Sequence, residues 1–212
     1  ELLIDHAWGY EPCTMADIKA YKPSNNSIGS GQVLHCPYDF NKAKLIVREM
    51  ADLLALDLVD KGLVTDQIVL TVGYDIENLN TADKRKAYKG EVTTDYYGRK
   101  VPKHAHGTIN LEQKTSSTKD IVNAAMKLYD RIVNKDMFIR RAYIVANHVI
   151  DEKTVMKPAF EQLDLFTDYE EVKKQRATEE KERQDEKNVQ KAILDIKKKY
   201  GKNAIIKGMN LA

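Results

Sequence analysis

The sequence predicts an α+β fold, a four-stranded antiparallel sheet with two helices on one face. Short segments with alternating apolar residues are separated by longer segments in which apolar residues recur at three- and four-residue steps. Their order is β-α-β, an insertion, then β-α-β, so both helices can cover one face and leave the other open for binding. We expect strands over residues 27–35, 67–74, 104–111 and 138–150, and helices over 39–61 and 117–132.

Capping residues and apolar stripes define the two helices. Asp39 or Asn41 can cap the first helix, which ends at Gly62. Ser117 with Asp120 forms a capping-box-like start for the second helix. The expected apolar stripes are Ala43, Ile46, Val47, Met50, Leu53 and Leu54 in the first helix, and Ile121, Ala124, Ala125, Leu128 and Ile132 in the second.

The predicted strands have one apolar side and one polar side, because side chains alternate along a strand. The residues expected on the helix-covered side are Ile68, Leu70, Val72 and Tyr74, followed in the third strand by Ala105, Gly107, Ile109 and Leu111. The opposite side of the third strand carries His104, His106, Thr108 and Asn110. Within the insertion, at about residues 75–103, segments 91–97 and 99–104 flank Gly98 and predict a hairpin.

The segments outside this sheet differ from it in composition. Residues 1–9 indicate the end of a helix followed by Gly9 in a left-handed conformation, and residues 20–26 indicate a polar linker. Residues 151–161 are expected to be a tether. Residues 168–191 are dense in Glu, Lys and Arg, which predicts either a solvated helix or a disordered segment.

The composition of the 212-residue chain limits its class. Its formal net charge is only +2, so any surface that binds nucleic acid has to be local. No apolar run approaches the roughly 18 residues needed to span a bilayer, and no signal peptide is evident, so we expect a cytoplasmic protein. Cys13 and Cys36 form no CxxC pair and are expected to be reduced thiols.

Positive charge is concentrated between residues 84 and 114. Eight Lys and Arg residues there face three acids, a local excess of +5 against +2 for the whole chain. Lys and Arg supply sequence-independent, salt-sensitive contacts to phosphates, although a solvated loop would have the same composition. The cations are Lys84, Arg85, Lys86, Lys89, Arg99, Lys100, Lys103 and Lys114.

Two pairs of side chains could imitate a metal site. Asp75 and Glu77 follow a strand, but we expect solvated loop charges rather than ligands of two metal ions about 3.5–4 Å apart. His104 and His106 point the same way on a strand, yet no third or fourth zinc ligand is evident. We therefore expect neither a catalytic nor a metal-binding residue in this chain.

Several short motifs follow one another along the chain. They are Ala7-Trp8-Gly9, residues 23–29, Leu70-Thr71-Val72-Gly73-Tyr74, His106-Gly107-Thr108, Phe138-Ile139-Arg140-Arg141, Gln162-Leu163-Asp164-Leu165-Phe166 and the run 198–209. Each alone is weak, but their shared order resembles the C-terminal part of Y-family lesion-bypass DNA polymerases. The sequence is most similar to the ImpB/MucB/SamB group of Gram-positive bacteria.

The resemblance implies a division into domains. Residues 1–22 would be the end of a thumb domain, 23–26 a linker, 27–150 the little-finger domain that binds DNA, and 151–212 a tail with a clamp-binding motif and a charged helical segment. In that family, nucleotidyl transfer uses two Mg²⁺ ions held by a palm domain. Because the chain starts in the thumb, we expect no polymerase activity and no cofactor for this fragment itself.

The resemblance also implies two partners, primer–template DNA and the sliding clamp, without a membrane; the oligomeric state stays open. Adjacent Arg140 and Arg141 should take opposite faces of their strand, and Arg141 shares its face with Asn147. A matching Arg pair contacts template-strand phosphates in the family. The expected DNA-binding residues are Ser27, Ser30, Lys100, Lys103, His104, His106, Thr108, Arg140 and Arg141. The expected clamp-binding residues, which could instead pack on their own domain, are Gln162, Leu163, Asp164, Leu165 and Phe166.

Two other functions are compatible with an open sheet. A stand-alone RNA-binding ferredoxin-like module would stack bases on aromatic residues of the central strands, for which Tyr74 and Tyr143 are the candidates. A small enzyme such as a phosphatase would need a phosphate-binding loop, and no such loop is evident in the sequence.

Overall fold

The protein is described here by a computed structural model, which defines residues 4, 7–21, 26–80, 88–155, 169–206 and 208. The main strands are β1 (Ile28–Tyr38), β2 (Leu63–Tyr74), β5 (Ala105–Thr115) and β6 (Ile139–Asn147). They form an antiparallel sheet in the order β1-β6-β2-β5. Two helices, α2 (Phe40–Lys61) and α3 (Thr118–Ile132), pack on one face of that sheet. The predicted fold class is therefore confirmed.

The smaller elements lie around this sheet. The insertion contains a two-stranded hairpin of β3 (Val92–Thr94) and β4 (Lys100–Pro102), and β7 (Ile150–Asp151) pairs with the start of β2. The remaining helices are α1 (Met15–Ala20) and α4 (Tyr169–Tyr200), with 3-10 turns η1 (Ile76–Leu79) and η2 (Glu152–Thr154). No helix in the described ranges has both the length and the apolar character that crossing a membrane requires.

The predicted caps delimit the two helices on the sheet. The Asp39 carboxylate accepts a hydrogen bond from the Lys42 backbone N–H at 2.9 Å, so Asp39 rather than Asn41 caps α2. The helix ends at Gly62, whose φ of 66° is left-handed. Ser117 Oγ accepts from the Asp120 backbone N–H at 3.2 Å and caps α3.

The core lies between the helix layer and the covered face of the sheet. Ile68, Leu70 and Val72 alternate along β2 and are fully buried, as the pattern predicts. Burying each such side chain contributes roughly 1.5–3 kcal/mol. Tyr129 of α3 is also fully buried, and its hydroxyl donates to the Phe40 carbonyl oxygen at 2.9 Å. Burial also raises the pKa of the Tyr129 hydroxyl.

The segment after β6 is ordered rather than a simple tether. Ile150 and Asp151 pair with Val64 and Leu63 of β2, and the Glu152 backbone N–H donates to the Gly62 carbonyl oxygen at 3.0 Å. The prediction of a tether is thus wrong for residues 151–154, because backbone pairing to β2 holds them. Residues 156–161 lie outside the described residues.

The charged tail segment forms the helix α4, and its second half packs against the domain. Gln190 is only 4% exposed, and its amide donates to the Ser116 carbonyl oxygen at 3.0 Å and to Thr118 Oγ1 at 2.8 Å. The Glu186 carboxylate accepts from Ser117 Oγ at 2.7 Å and from the Lys119 backbone N–H at 3.0 Å. Tail side chains therefore complete the N-terminal cap of α3.

The N-terminal residues form two short features. Gly9 has a φ of 74°, as expected for a residue after a helix end. The helix α1 was not expected; Thr14 and Asp17 form its capping box. Of the predicted linker, residues 22–25 lie outside the described residues.

Candidate nucleic-acid interface

The uncovered face of the sheet is a polar surface built from all four main strands. Residues directly opposite one another in an antiparallel pair share a face, so the strand register assigns each position. From the β1 edge to the β5 edge, this open face contains the rows Val33, Arg141 and Gly73; Gly31, Tyr143, Thr71 and His106; Gly29, Val145, Val69 and Thr108; and Asn147, Gln67 and Asn110. None of these positions, all within the described strands, carries a carboxylate.

Arg141, on the inner strand β6, provides the positive charge in the end row of the open face. Its side chain is exposed and crosses Gly73 of the neighbouring strand, where a Cβ atom would lie 2.5 Å from Arg141 Cγ. Glycine at position 73 therefore leaves the space that the Arg141 side chain occupies. No carboxylate of the described residues forms an ion pair with Arg141. Arg141 shares this face with Asn147, as the alternation predicts.

Arg140 lies in a different environment, next to Asp75. Its Nε is 3.7 Å from Asp75 Oδ2, and Asp75 is only 7% exposed. The Asp75 backbone N–H donates to the Phe138 carbonyl oxygen at 2.9 Å, and its carboxylate accepts from the Glu77 backbone N–H at 2.9 Å. The expectation that Asp75 is a solvated loop charge is therefore wrong, because the register shift after Gly73 and the cap of η1 bury it beside Arg140.

Hydrogen bonds fix several polar side chains of the open face. Thr71 Oγ1 and His106 Nδ1 are 2.9 Å apart, and the His104 ring meets the His106 ring edge-on at 6.3 Å. The three amides form a chain, since Asn147 Nδ2 donates to Gln67 Oε1 at 3.0 Å and Gln67 Nε2 donates to Asn110 Oδ1 at 2.9 Å. These groups can meet a ligand with little further ordering.

The edge strand β1 places its small residues on alternate sides. Gly29 and Gly31 belong to the open face, where the Tyr143 ring lies against them; a Cβ at Gly31 would be 2.8 Å from Tyr143 Cδ2. Ser30 pairs with core residue Ile144, so its side chain is directed to the helix side at the exposed edge. Ser27 is exposed just before β1.

The two aromatic candidates for base stacking are separated by the sheet. Tyr143 lies on the open face and is partly exposed. Tyr74 packs against the core, and its hydroxyl accepts from the Asn134 backbone N–H at 2.9 Å. The open face therefore lacks the adjacent aromatic platform on central strands that base stacking by an RNA-binding sheet requires.

The comparison with protein families identifies the domain. A family model described as the impB/mucB/samB family C-terminal domain matches residues 25–165. The chain belongs to this family. The match begins shortly before β1 and spans the sheet, both covering helices and the inserted hairpin, and it confirms the resemblance to the C-terminal part of Y-family polymerases.

This impB/mucB/samB family member also resembles a solved structure at low sequence identity. A solved structure described as a complex of the beta-clamp processivity factor and the little finger domain of PolIV is similar at 12% sequence identity, with a TM-score of 0.37. That similarity covers 67% of this chain and 100% of the other. Comparison with curated proteins found no match.

The basic hairpin of this family member is confirmed, with Gly98 at a φ of 76° in its turn. Lys100 Nζ donates to Thr94 Oγ1 at 2.9 Å, and Lys103 Nζ pairs with the Glu91 carboxylate at 2.6 Å. Both lysines thus have internal partners. Lys84, Arg85 and Lys86 lie outside the described residues, as do Gln162, Leu163, Asp164, Leu165 and Phe166.

The tip of this hairpin carries a feature that the sequence analysis did not single out. Tyr96 and Tyr97 occupy the turn, 95% and 77% exposed. Asp and Gly are typical of turns, so the pair of aromatic residues between Asp95 and Gly98 is the signal that could have identified an exposed aromatic turn. Among the residues that the structure describes, no three His, Cys, Asp or Glu side chains are grouped so as to hold a metal ion.

Proposed function

We propose that this chain is the little-finger region of an error-prone translesion DNA polymerase and grips the backbone of the primer–template duplex with its open sheet face. The observation that carries the proposal is the exposed Arg141 in the end row of that face, among paired rows that contain no carboxylate. Membership of the impB/mucB/samB family supports the same function.

The chemistry of the face fits phosphates better than base edges. Arg141 supplies a charge, while the Thr71–His106 pair and the amide chain supply hydrogen-bonding groups held in place. Contacts to phosphates position a protein on DNA without reading its sequence. A polymerase needs this kind of grip, because it moves over every template sequence.

The nucleotidyl transfer and its two Mg²⁺ ions are assigned to a palm domain of the parent protein. For this chain we propose two partners, the primer–template duplex and the sliding clamp. The clamp would be held by Gln162-Leu163-Asp164-Leu165-Phe166, with Leu165 and Phe166 as apolar anchors. Tethering of this kind raises the effective concentration of a polymerase at DNA without tightening its DNA contacts.

The test compares binding of several unrelated duplexes over a range of salt concentrations. We expect weak binding without sequence preference and an affinity that falls steeply with salt. Arg141→Ala should weaken binding to each duplex equally and lower the slope of log affinity against log salt by about 1. Arg140→Ala should have a smaller effect, because Asp75 already pairs with Arg140.

The matched control is Arg48→Ala, which removes the same charge from an exposed position in α2 on the opposite side of the sheet. This variant should bind like the unaltered chain. Strong sequence preference, a flat salt dependence or tighter binding of single-stranded RNA than of duplex DNA would contradict the proposal.

A further inference from the structure

The turn of the β3–β4 hairpin carries two solvent-exposed aromatic rings. Tyr96 is the most exposed large hydrophobic side chain in the described part of the chain, and Tyr97 follows it directly. Neither ring packs on the domain core. Because burying an aromatic side chain is strongly favourable, two adjacent unburied rings indicate a surface that becomes covered by a ligand.

The turn that carries these rings is rigidly built. The Asp95 backbone N–H donates to the Arg99 carbonyl oxygen at 2.9 Å, and the Gly98 N–H donates to the Asp95 carbonyl oxygen at 3.0 Å. The Asp95 carboxylate accepts from the backbone N–H groups of Tyr97 and Arg99 at 3.0 and 2.9 Å. The rings are therefore presented with little backbone entropy left to lose on binding.

The surroundings of the rings are positively charged. The two acids of the hairpin, Glu91 and Asp95, are each neutralised by a cation, Lys103 at 2.6 Å and Arg99 at 2.7 Å. Lys100, the first residue of β4, adds charge beyond these pairs. The Arg99 guanidinium also lies 5.2 Å from the centre of the Tyr97 ring.

We propose that Tyr96 and Tyr97 form a stacking platform for the unpaired bases of a single-stranded DNA extension. Aromatic rings beside cations bind single strands without sequence preference, because every base has a π-face and every nucleotide a phosphate. A protein partner would require a broader apolar patch, whereas Asp95, Arg99 and Lys100 border these rings. The proposal extends the proposed DNA-binding function. It rests on that function only for DNA in which a duplex adjoins the single-stranded extension.

The experiment measures binding of the full chain to a blunt duplex and to the same duplex with a short single-stranded extension that contains 2-aminopurine. The extension should tighten binding, and stacking should quench the 2-aminopurine fluorescence. Tyr96→Ala/Tyr97→Ala should lose about tenfold or more of the affinity for the extended DNA, the loss expected for one or two stacked bases. Its affinity for the blunt duplex should stay unchanged.

Two controls separate stacking from charge and from folding. Tyr96→Phe/Tyr97→Phe keeps both rings and should retain affinity and quenching, and all variants should have the same thermal unfolding midpoint. An extension with abasic sites keeps the phosphates and should bind the unaltered chain no better than the blunt duplex.

The outcomes distinguish this inference from the proposed function. Equal binding of the extended DNA by the alanine variant and the unaltered chain would overturn the platform, as would tight binding of the abasic extension. An equal loss of blunt-duplex affinity in the alanine variant would also overturn it. Failure of the unaltered chain to bind blunt duplex would instead count against the open sheet face, and single-stranded DNA alone would then test the rings.

Discussion

The side chain of Arg141 crosses the backbone of Gly73 on the neighbouring strand, and a Cβ atom at position 73 would lie 2.5 Å from both Cγ and Nε of Arg141. The position of the guanidinium on the open face therefore depends on the absence of a side chain one strand away. A glycine in the interior of a strand often marks such a close approach.

Gly73→Ala is expected to weaken DNA binding by displacing Arg141, because the added methyl group occupies the space of its stem. Equilibrium binding to duplex DNA measures the effect. Combined with Arg141→Ala, the substitution should cause little further loss, since the two changes act through one side chain.

Gly107→Ala is the control on the helix side, where Cβ would lie 2.9–3.0 Å from Ile132 and Leu128. It should destabilise folding by about 1–3 kcal/mol and leave DNA binding by the folded protein unchanged. Additive losses from Gly73→Ala and Arg141→Ala would contradict this account.

Glu186→Ala is expected to lower the free energy of unfolding by about 0.5–2 kcal/mol, because the N-terminus of α3 loses two hydrogen bonds. Urea unfolding followed by circular dichroism measures the change. Asp185→Ala removes a negative charge from the preceding, exposed residue and is the matched control. Equal stability of the two variants would show that the tail contributes nothing to the cap.

The hairpin turn should respond to acid at an unusually low pH. The hydrogen bond from the Arg99 side chain, with further backbone N–H bonds, holds the pKa of the Asp95 carboxyl below its ordinary value. A depressed pKa in the folded state means that the stabilisation is present at neutral pH and is lost as the pH falls through that pKa. An NMR titration of the Asp95 carboxyl carbon measures it, and Arg99→Gln should raise the pKa. An ordinary pKa in the unaltered chain would refute the role of Arg99.

Leu165→Ala/Phe166→Ala is expected to abolish binding to a bacterial sliding clamp, because both apolar anchors are removed. Calorimetric titration with the clamp measures this, and the affinity for duplex DNA should not change. Phe160→Ala removes an aromatic residue just outside the motif and should leave clamp binding intact. If the double variant binds the clamp as well as the unaltered chain does, the motif is not the docking site.

The sequence predicts the parts of the fold that depend on local rules. Asp39 and Gly62 delimit α2 through capping, and the alternation of Ile68 and Leu70 predicts which side of β2 is buried. The packing of α4 could not be predicted, because Gln190 is buried through polar contacts to a helix far away in sequence. A burial that rests on hydrogen bonds leaves no apolar pattern to detect.

The sequence predicts only those site positions that depend on local alternation, and not those that depend on strand pairing. Alternation alone predicts His106 and Thr108 on one side of β5, and the register places both on the open face. The direction of Ser30 depends on its pairing with Ile144 across β6, and the burial of Asp75 depends on a register shift; neither is encoded locally. Tyr96 and Tyr97 lie in a turn, where no strand or helix periodicity indicates the role of an aromatic pair.

If the clamp docks at residues 162–166, as proposed, the ordered segment after β6 limits how far the clamp can lie from the sheet. Val155 ends the η2 turn, and Gln162 follows seven residues later, midway to the start of α4 at Tyr169. Fully stretched, seven residues reach roughly 25 Å. The motif thus has two anchored arms, since Glu152 is ion-paired with Lys187 of α4 and Gln190 holds that helix to the domain. Residues inserted on either side of the proposed motif would lengthen these connections, so that a bound clamp could lie farther from the sheet.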